Sequence, residues 1–247
     1  MSIENKSIEQ KSVEVLMANR ADGIILALSH ETKDYEHIKM IQESGTPIVL
    51  FDRTTNELNV SRVVTDGVTA AFQAVQHLVS EGCQKIALLC GPENVGIGGN
   101  RMEGYEKAME ANHLPAKPEL ICHCSDFTVE AGKEATRQLL SRKERPDAIF
   151  GITDDLAIGA IEAIKEKGLN IPEDIAIVGF SNTKRSRYMN PTVSSINQFP
   201  EKIGRAAAEL LFDQILNSKH AQIKKEIINC ELIVRESSDR RCRHDRC

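Results

Sequence analysis

Residues 146–182 read PDAIFGITDDLAIGAIEAIKEKGLNIPEDIAIVGFSN and have the pattern of a strand, a helix and a second strand. Two short apolar runs, at 148–152 and 175–180, are typical of buried strands. Between them, apolar residues recur at helical spacing over 156–164. Two strands joined by one helix predict a right-handed parallel crossover. The predicted fold class is therefore α/β.

The loops that follow these two strands are the first candidates for a binding site. Thr153, Asp154 and Asp155 follow the first strand, and 181–183 follow the second. Thr and Asp favour helix starts, because a side-chain oxygen accepts a free amide of the first turn. Parallel α/β sheets bind ligands at the carboxyl ends of their strands. We therefore expect ligand-contacting side chains in both loops.

The composition is that of an ordinary globular protein. Of 247 residues, 41% are apolar and 27% charged, and the formal net charge of −5 gives no sign of a nucleic-acid-binding surface. No apolar run approaches the roughly 20 residues of a membrane helix. The polar start, MSIENKSIEQ, has no signal-peptide core, and seven cysteines form no disulfide framework. These features predict a cytoplasmic protein with reduced thiols and no membrane partner.

Helices and strands alternate along the chain, but the strand count is uneven. The region 85–180 contains four predicted strands, enough for a complete lobe. Before residue 63 there are two, at 23–28 and 47–52, and a third is expected to return at 193–196. Because a parallel sheet needs cover on both faces, we expect an incomplete first lobe, short of at least one initial strand–helix unit.

A glycine-rich loop at 91–99 follows a predicted strand and precedes Arg101. The loop lacks the Gly-Lys-Ser/Thr ending that places a lysine and a hydroxyl on phosphate and Mg²⁺. The dinucleotide pattern GxGxxG also fails, because Arg101 stands where the third glycine belongs. Two interpretations stay open: a flexible connector, or a binding loop whose helix carries Arg101 into a cleft.

No enzyme is predicted. Gly179-Phe180-Ser181-Asn182-Thr183 resembles a nucleophile elbow, but Thr183 occupies the position of the required glycine. The adjacent Asp154 and Asp155 could form a catalytic pair, but helix N-termini attract Asp. Capping is the better interpretation for at least one of them, and a double role of Asp154 as cap and ligand contact stays open.

Neither a metal nor a cofactor is predicted. In Cys122-His123-Cys124, strand alternation sends His123 to the face opposite the two thiols. The C-terminal group around Cys242, His244 and Cys247 lacks a fourth ligand at a zinc spacing.

Arg101 and Phe127 are each open to two interpretations. Arg101 is a surface residue at a helix start, or a residue whose charge meets a polar ligand or a carboxylate such as Asp154. Phe127 is a core residue, or an apolar plate for a sugar or a base.

Taken together, the motifs resemble the ligand-binding core of the lactose-repressor (LacI/GalR) family of transcription regulators, which shares its fold with periplasmic sugar-binding proteins. The resemblance covers nearly the whole chain to about Ser237. The matching stretches are ADGIIL (21–26), PIVLFDR (47–53), the segment 63–92, R-x-E-G-Y-x-x-A (101–108), the segment 146–180 and PTVSSINQFPEKIGRAAAELL (191–211).

The resemblance implies two Rossmann-like lobes with parallel sheets, joined by three crossovers, with an effector in the cleft between them. The first lobe would comprise 1–64 and 193–218, and the second 65–191 and 223–237. Residues 238–247 would form a disordered tail. The crossovers would fall near 64–66, 190–193 and 218–224.

Carried over by motif, the family's effector contacts fall on seven residues: Arg101, Phe127, Thr153, Asp154, Ser181, Asn182 and, more weakly, Asp66. Ser181 departs from the family, which commonly has an Asp there that binds effector hydroxyls. A hydroxyl lacks the charge that holds paired sugar hydroxyls, and Asn182 would partly substitute. Val95 and Ile97 stand where purine-binding members place polar contacts, which argues against a purine.

The resemblance implies an effector-binding and dimerisation core of a bacterial regulator, with a sugar or sugar derivative as effector. Intact relatives are homodimers and contact DNA through a helix-turn-helix. That element and the first strand–helix–strand unit are not found in this sequence, so no operator contact is expected from it. The alternative is a solute-binding protein of a transporter, which the lack of a signal peptide disfavours.

Overall fold

The computed structural model describes residues 5–29, 31–92, 97–217 and 222–240, without the side chains of Ile97 and Gly98. In chain order the elements are α1 (Lys6–Ala18), β1 (Ile24–Leu26), α2 (Glu36–Glu43), β2 (Ile48–Phe51), β3 (Ser61–Thr65), α3 (Gly67–Ser80), β4 (Ile86–Cys90), α4 (Ile97–Ala111), β5 (Ile121–His123), α5 (Val129–Ser141), β6 (Ala148–Gly151), α6 (Asp154–Glu166), β7 (Ala176–Phe180), α7 (Lys184–Tyr188), β8 (Ser194–Asn197), α8 (Pro200–Leu216), β9 (Lys225–Ile228) and β10 (Glu231–Ile233). Across these ranges no helix is long and apolar enough to span a membrane.

The chain divides into two compact units, each with its own sheet. The first unit comprises Met1–Asp66 and Phe199–Asn229, and the second comprises Gly67–Gln198 and Cys230–Cys247. The α/β class and the two parallel-sheet lobes predicted from the sequence are confirmed.

The first unit is built on a four-stranded parallel sheet in the order β1-β2-β3-β9. Strand β2 is a short apolar run buried on both faces, as expected for an inner strand of a parallel sheet covered by helices, whereas the edge strand β9 is mostly exposed. Val49 and Val63 pack with Ala207 of α8 on one face, and Ile38 of α2 packs with Leu50 on the other.

The second unit has a six-stranded sheet in the order β10-β8-β7-β6-β4-β5, parallel except for β10 against β8. Its core is largely aliphatic, with Leu88, Ile149 and Val178, and also contains the fully buried rings of Phe150 and Phe180. Glycines let helices α5 and α6 approach closely. A Cβ at Gly159 would lie 2.1 Å from the Val129 carbonyl oxygen, so no larger residue fits there.

The crossover predicted from residues 146–182 is confirmed. Strands β6 and β7 pair in parallel with Ala148 opposite Ala176, and α6 connects them. Gly168 ends the helical stretch with a φ of +74°, a left-handed conformation that favours glycine.

The partition of the later strands differs from the prediction. Strand β8 was assigned to the first lobe, but it pairs with β7 in the second unit, where Val178 lies opposite Ser194. Strand β9 was assigned to the second lobe, but it pairs with β3 in the first unit. The chain therefore changes unit after Gln198 and after Asn229, not near 190–193 and 218–224. Isolated apolar runs do not show which strand they will pair with.

The predicted disordered tail, 238–247, is also corrected in part. Ser238 is fully buried, and its hydroxyl lies 2.7 Å from Nε2 of His77 and 2.6 Å from the Ser194 hydroxyl. Arg240 donates from Nη2 to the Asp147 carbonyl at 2.9 Å. Side-chain hydrogen bonds thus fix residues 238–240. The polar composition of this segment had predicted disorder. Residues 241–247 lie outside the described residues.

A buried carboxylate ties α1 to the loop after β1 and to α2. Glu9 is fully buried, and its oxygens accept from the Ser29 amide, from the Thr32 hydroxyl at 3.0 Å and from Nε2 of His37 at 2.7 Å. Among the described residues, the buried Nδ1 of His37 has no hydrogen-bond partner. The Nε2 side of the His37 ring therefore faces the Glu9 carboxylate.

Replacement of Glu9 by glutamine should destabilise the first unit by about 1–3 kcal/mol at pH 7, because one amide cannot accept from all three donors. Burial raises the pKa of Glu9, but the hydrogen bonds from His37, Ser29 and Thr32 hold it below its usual value. This lowered pKa contributes stability above the unfolded-state pKa, and the contribution is lost as the pH falls through the folded-state pKa.

Urea unfolding between pH 7 and pH 3 measures this effect, with the exposed Glu14→Gln on the same helix as the control. The wild-type protein and Glu14→Gln should lose the stabilisation from about pH 4.5 downward, whereas Glu9→Gln should lack it at every pH. Parallel pH curves for all three proteins would show that Glu9 does not carry this stability.

Candidate functional site

Six of the seven predicted site residues lie at the carboxyl ends of strands in the second unit or just beyond them. Thr153 and Asp154 follow β6, Ser181 and Asn182 follow β7, and Phe127 lies in the loop after β5. Arg101 reaches this edge from α4, the helix that follows β4. The parallel crossover thus gathers the predicted residues where α/β sheets bind ligands.

Arg101 is a buried cation at this edge, so its interpretation as a surface residue is wrong. Its side chain is only 8% exposed, and Nη1 donates to the Ile152 carbonyl oxygen just beyond β6. The guanidinium carbon lies 3.7 Å from the centroid of the Phe180 ring, a cation–π geometry. The carbonyl dipole and the ring hold the guanidinium at the ends of two neighbouring strands.

Phe127 is both a core contact and part of the edge. Its half-buried ring packs on the core of the second unit and lies directly over Gly91, the first residue after β4. A Cβ at Gly91 would lie 2.2 Å from Cε1 of Phe127. Glycine at position 91 is therefore required for this ring position.

Helix α6 is capped by Thr153 rather than by either Asp. Oγ1 of Thr153 accepts from the Leu156 amide at 3.3 Å, and Asp154 and Asp155 lie in the first turn. The prediction that at least one Asp caps the helix is therefore wrong. Asp154, 1% exposed, accepts from the Thr183 amide at 2.6 Å and from the Ser195 hydroxyl at 2.5 Å. Both its carboxylate oxygens bind protein groups.

The loop after β7 has an unusual backbone. Ser181 and Asn182 both have positive φ, +119° and +50°, although neither is glycine. Asn182 is 7% exposed, and its amide donates to the Ser195 hydroxyl at 2.9 Å. Its Oδ1 accepts from Nη2 of Arg235 at 2.7 Å. Ser181 is half-buried, whereas Asn182 is buried and its side chain is hydrogen-bonded to Arg235.

Charged groups surround this loop. Burial lowers the pKa of Arg235, and Arg187 lowers it further, while Asp154 opposes both. Partial burial raises the pKa of Asp155, against the influence of Arg185, whose Nη1 lies 4.0 Å from its Oδ1. The loop therefore lies in a mainly cationic environment with Asp154 as its buried counter-charge.

The seventh predicted residue, Asp66, is the last residue of the first unit, and its role as an effector contact stays a prediction. Val95 and the side chain of Ile97, which were used to argue against a purine, lie outside the described residues. Among the described His, Cys, Asp and Glu residues, no group of three could hold a metal. Burial raises the pKa of Cys124 to about 12, which keeps this thiol protonated at neutral pH.

Replacement of Gly179 by alanine should destabilise the second unit by about 1–3 kcal/mol, because the added Cβ would lie 2.5 Å from Oδ1 of Asp154. Asp154 would have to move away from the Ser195 hydroxyl. Urea unfolding of the variant measures the loss. Gly99→Ala is the matched control, since no atom lies within 4 Å of its added Cβ in helix α4. Equal stability of the two variants would contradict the close approach at Gly179.

Comparisons with known proteins identify the family and support the fold. A family model, described as the periplasmic binding protein-like domain, matches residues 75–238. The repressor CytR of Escherichia coli (strain K12) is 33% identical over 230 residues, which are 93% of this chain and 66% of CytR. The repressor PurR of Haemophilus influenzae (strain PittEE) is 33% identical over 228 residues, 91% of this chain and 67% of PurR.

A crystal structure of a regulatory protein of LacI family from Chloroflexus aggregans superposes with a TM-score of 0.82 at 29% identity, over 95% of this chain and 82% of that one. The chain belongs to the LacI family. A complex of the transcriptional regulator CelR with cellobiose superposes with a TM-score of 0.84 at 30% identity, over 94% of this chain and 71% of that chain. A LacI family regulator from Enterococcus faecium with bound ribose superposes with a TM-score of 0.82 at 26% identity, over 93% of this chain and 84% of that chain.

The resemblance found in the sequence is thus confirmed: this is a periplasmic-binding-protein-like effector domain of the LacI family. The chain spans about two thirds of the length of the curated relatives that it matches. These relatives are named transcriptional repressors, which favours the regulator over the transporter alternative and over an enzyme.

Two residues of the site, Ser195 and Arg235, were missed in the sequence. They lie 13 and 53 positions from Asn182, and strand pairing in the folded sheet brings them to the loop. No local spacing indicates such contacts.

Proposed function

We propose that this LacI-family domain binds a small polar effector, a sugar or sugar derivative, at the carboxyl edge of the second-unit sheet. The observation that carries the proposal is the position of Arg101, whose guanidinium is fixed at the ends of β6 and β7. A planar cation with several N–H donors suits the hydroxyl, carbonyl or anionic oxygens of such a molecule.

Four residues are proposed as direct contacts: Arg101, Phe127, Thr153 and Ser181. Arg101 donates to an effector oxygen, and the half-buried ring of Phe127 packs on an apolar face of the effector. Thr153 and Ser181 are both half-buried at the strand ends, where their hydroxyls add hydrogen bonds. The LacI family regulator solved with bound ribose and the regulator CelR solved with cellobiose support a sugar as the class of ligand.

Asp154 and Asn182 are proposed to act indirectly. Both are almost fully buried, and their side-chain oxygens accept hydrogen bonds from Ser195, Thr183 and Arg235. Their role would be to hold the loop that carries Ser181. The contribution of Asp66 from the first unit stays a prediction.

The regulatory role is proposed from the relatives. In a cytoplasmic repressor, the effector would change the equilibrium between conformations by its difference in affinity for them. Homodimerisation and contact with DNA through a helix-turn-helix are proposed on the same basis, with the helix-turn-helix outside this sequence.

Thermal-shift measurements with ribose, cellobiose, sugar phosphates and nucleosides test the effector proposal. A true effector at 100 times its Kd should stabilise the protein by about 2.7 kcal/mol. For a chain of this length, that corresponds to a rise in Tm of roughly 5–10 °C. A folded sample that none of these compounds stabilises would overturn the proposal.

A further inference from the structure

The loop after β7 is held in a conformation that its own residues disfavour. Ser181 and Asn182 take φ values of +119° and +50° in succession, and neither residue is glycine. Such conformations persist only where the surrounding contacts fix them, and they concentrate at ligand sites. The contacts that fix this loop therefore bear on the site.

A hydrogen-bonded chain runs from the loop to a buried carboxylate. The Asn182 amide donates to Oγ of Ser195 at 2.9 Å, and the Ser195 hydroxyl donates to Oδ1 of Asp154 at 2.5 Å. Oδ2 of Asp154 accepts from the Thr183 amide at 2.6 Å, on the far side of Asn182. Ser195 is fully buried. Because its hydroxyl accepts from the Asn182 amide, which can only donate, and donates to the Asp154 carboxylate, these two partners fix the direction of the hydroxyl.

Arg235 is a second residue that contacts Asn182, through the Asn182 side chain. Its Nη2 donates to Oδ1 of Asn182 at 2.7 Å, and its Nη1 donates to the Val193 carbonyl at 2.5 Å. Nη2 of Arg187 donates to the Asn182 carbonyl at 3.3 Å. The amide, carbonyl and side chain of Asn182 are thus all hydrogen-bonded, and the Ser181 amide next to it donates to the Ile196 carbonyl oxygen at 2.9 Å.

We infer that Ser195 and Arg235 are positioning residues that fix the Ser181–Asn182 loop in the conformation that the effector meets. The inference rests on the proposed function for the identity of the loop as an effector contact. Neither residue needs to touch the effector, since each acts through Asn182.

Hydrogen exchange of single amides, read by NMR, tests the positioning without any ligand. In Ser195→Ala the Asn182 amide loses its acceptor and should exchange about tenfold faster. Arg235→Lys should also accelerate it, because one ammonium cannot reproduce the two-pronged contact to Asn182 and Val193. The control is Thr136→Val, which removes an equally buried hydroxyl bonded only to the Gly132 carbonyl of its own helix.

An unchanged rate at Asn182 in both variants would overturn the inference, as would a uniform rise across the second unit that Thr136→Val also shows. Calorimetric titration with ribose provides the functional half of the test. About tenfold weaker binding by Ser195→Ala, with Thr136→Val unchanged, is expected. If Ser195→Ala bound ribose as tightly as the wild type while its Asn182 amide exchanged faster, the claim that this loop conformation matters for effector binding would be overturned. A wild-type protein that binds no compound would instead overturn the proposed function, while the exchange result stands.

Discussion

Replacement of Arg101 by methionine should weaken effector binding by about 2–4 kcal/mol, or roughly 30-fold to 1,000-fold in Kd. Methionine keeps much of the apolar bulk against Phe180 but removes the guanidinium that the effector oxygen would meet. The effector would then lose a charged hydrogen-bond donor from a residue that is only 8% exposed, and the loss of a charged donor costs more than that of a neutral one. Isothermal titration with the most stabilising compound of the thermal-shift screen measures the change.

Two further variants control this experiment. Arg137→Met removes an exposed arginine of α5 that pairs with Glu166, and such surface pairs contribute about 0–1 kcal/mol, so binding should not change. Arg101→Lys keeps the charge but loses the planar donor set, so intermediate affinity is expected. Wild-type affinity in Arg101→Met, with the fold intact, would remove Arg101 from the site.

Replacement of Asp154 by alanine should destabilise the second unit by about 2–4 kcal/mol. Two donors, the Thr183 amide and the Ser195 hydroxyl, would lose their shared buried acceptor. The cationic groups around Asn182 would also lose their buried counter-charge. Urea unfolding at pH 7 gives the free energy of unfolding for the variant and the wild type.

The adjacent Asp155→Ala is the matched control for this prediction. Asp155 has the same residue type in the same helical turn, but its side chain is 52% exposed and its nearest cation lies 4.0 Å away. Its loss should cost no more than about 1 kcal/mol, the scale of a helix-dipole contact. Similar losses in the two variants would mean that Asp154 acts only through its charge at the helix start.

Local patterns predicted the parts of the fold that local physics determines. The crossover at 146–182 follows from apolar spacing and a capping residue, and the structure has it with β6 paired to β7. The positions of β8 and β9 could not be predicted in this way. Both strands are short and partly polar, and the unit of each depends on pairing with β7 or β3 elsewhere in the sequence. The end of the chain was misjudged for a related reason, because Ser238 and Arg240 are fixed by partners 44 or more positions distant.

The candidate site was likewise predicted only in part from the sequence. Arg101 and Phe127 were singled out from the residues, the family resemblance favoured their roles as effector contacts, and the structure places both at the carboxyl edge of the sheet. Asp154 was found as well, but its role was not, because Ser195 lies 41 positions away and no spacing links the two. The buried pair of Glu9 and His37 was missed entirely, since a glutamate on a polar helix gives no sign of burial.

Amide chemical-shift mapping of the protein during titration with ribose, and with each stabilising compound of the screen, tests the central claim most directly. Saturable shifts should concentrate around Gly91, Phe127, Thr153 and Ser181, at the carboxyl edge of the second-unit sheet, and should disappear in Arg101→Met. Shifts confined to other parts of the chain, or persisting unchanged without the Arg101 guanidinium, would contradict an effector site at this edge.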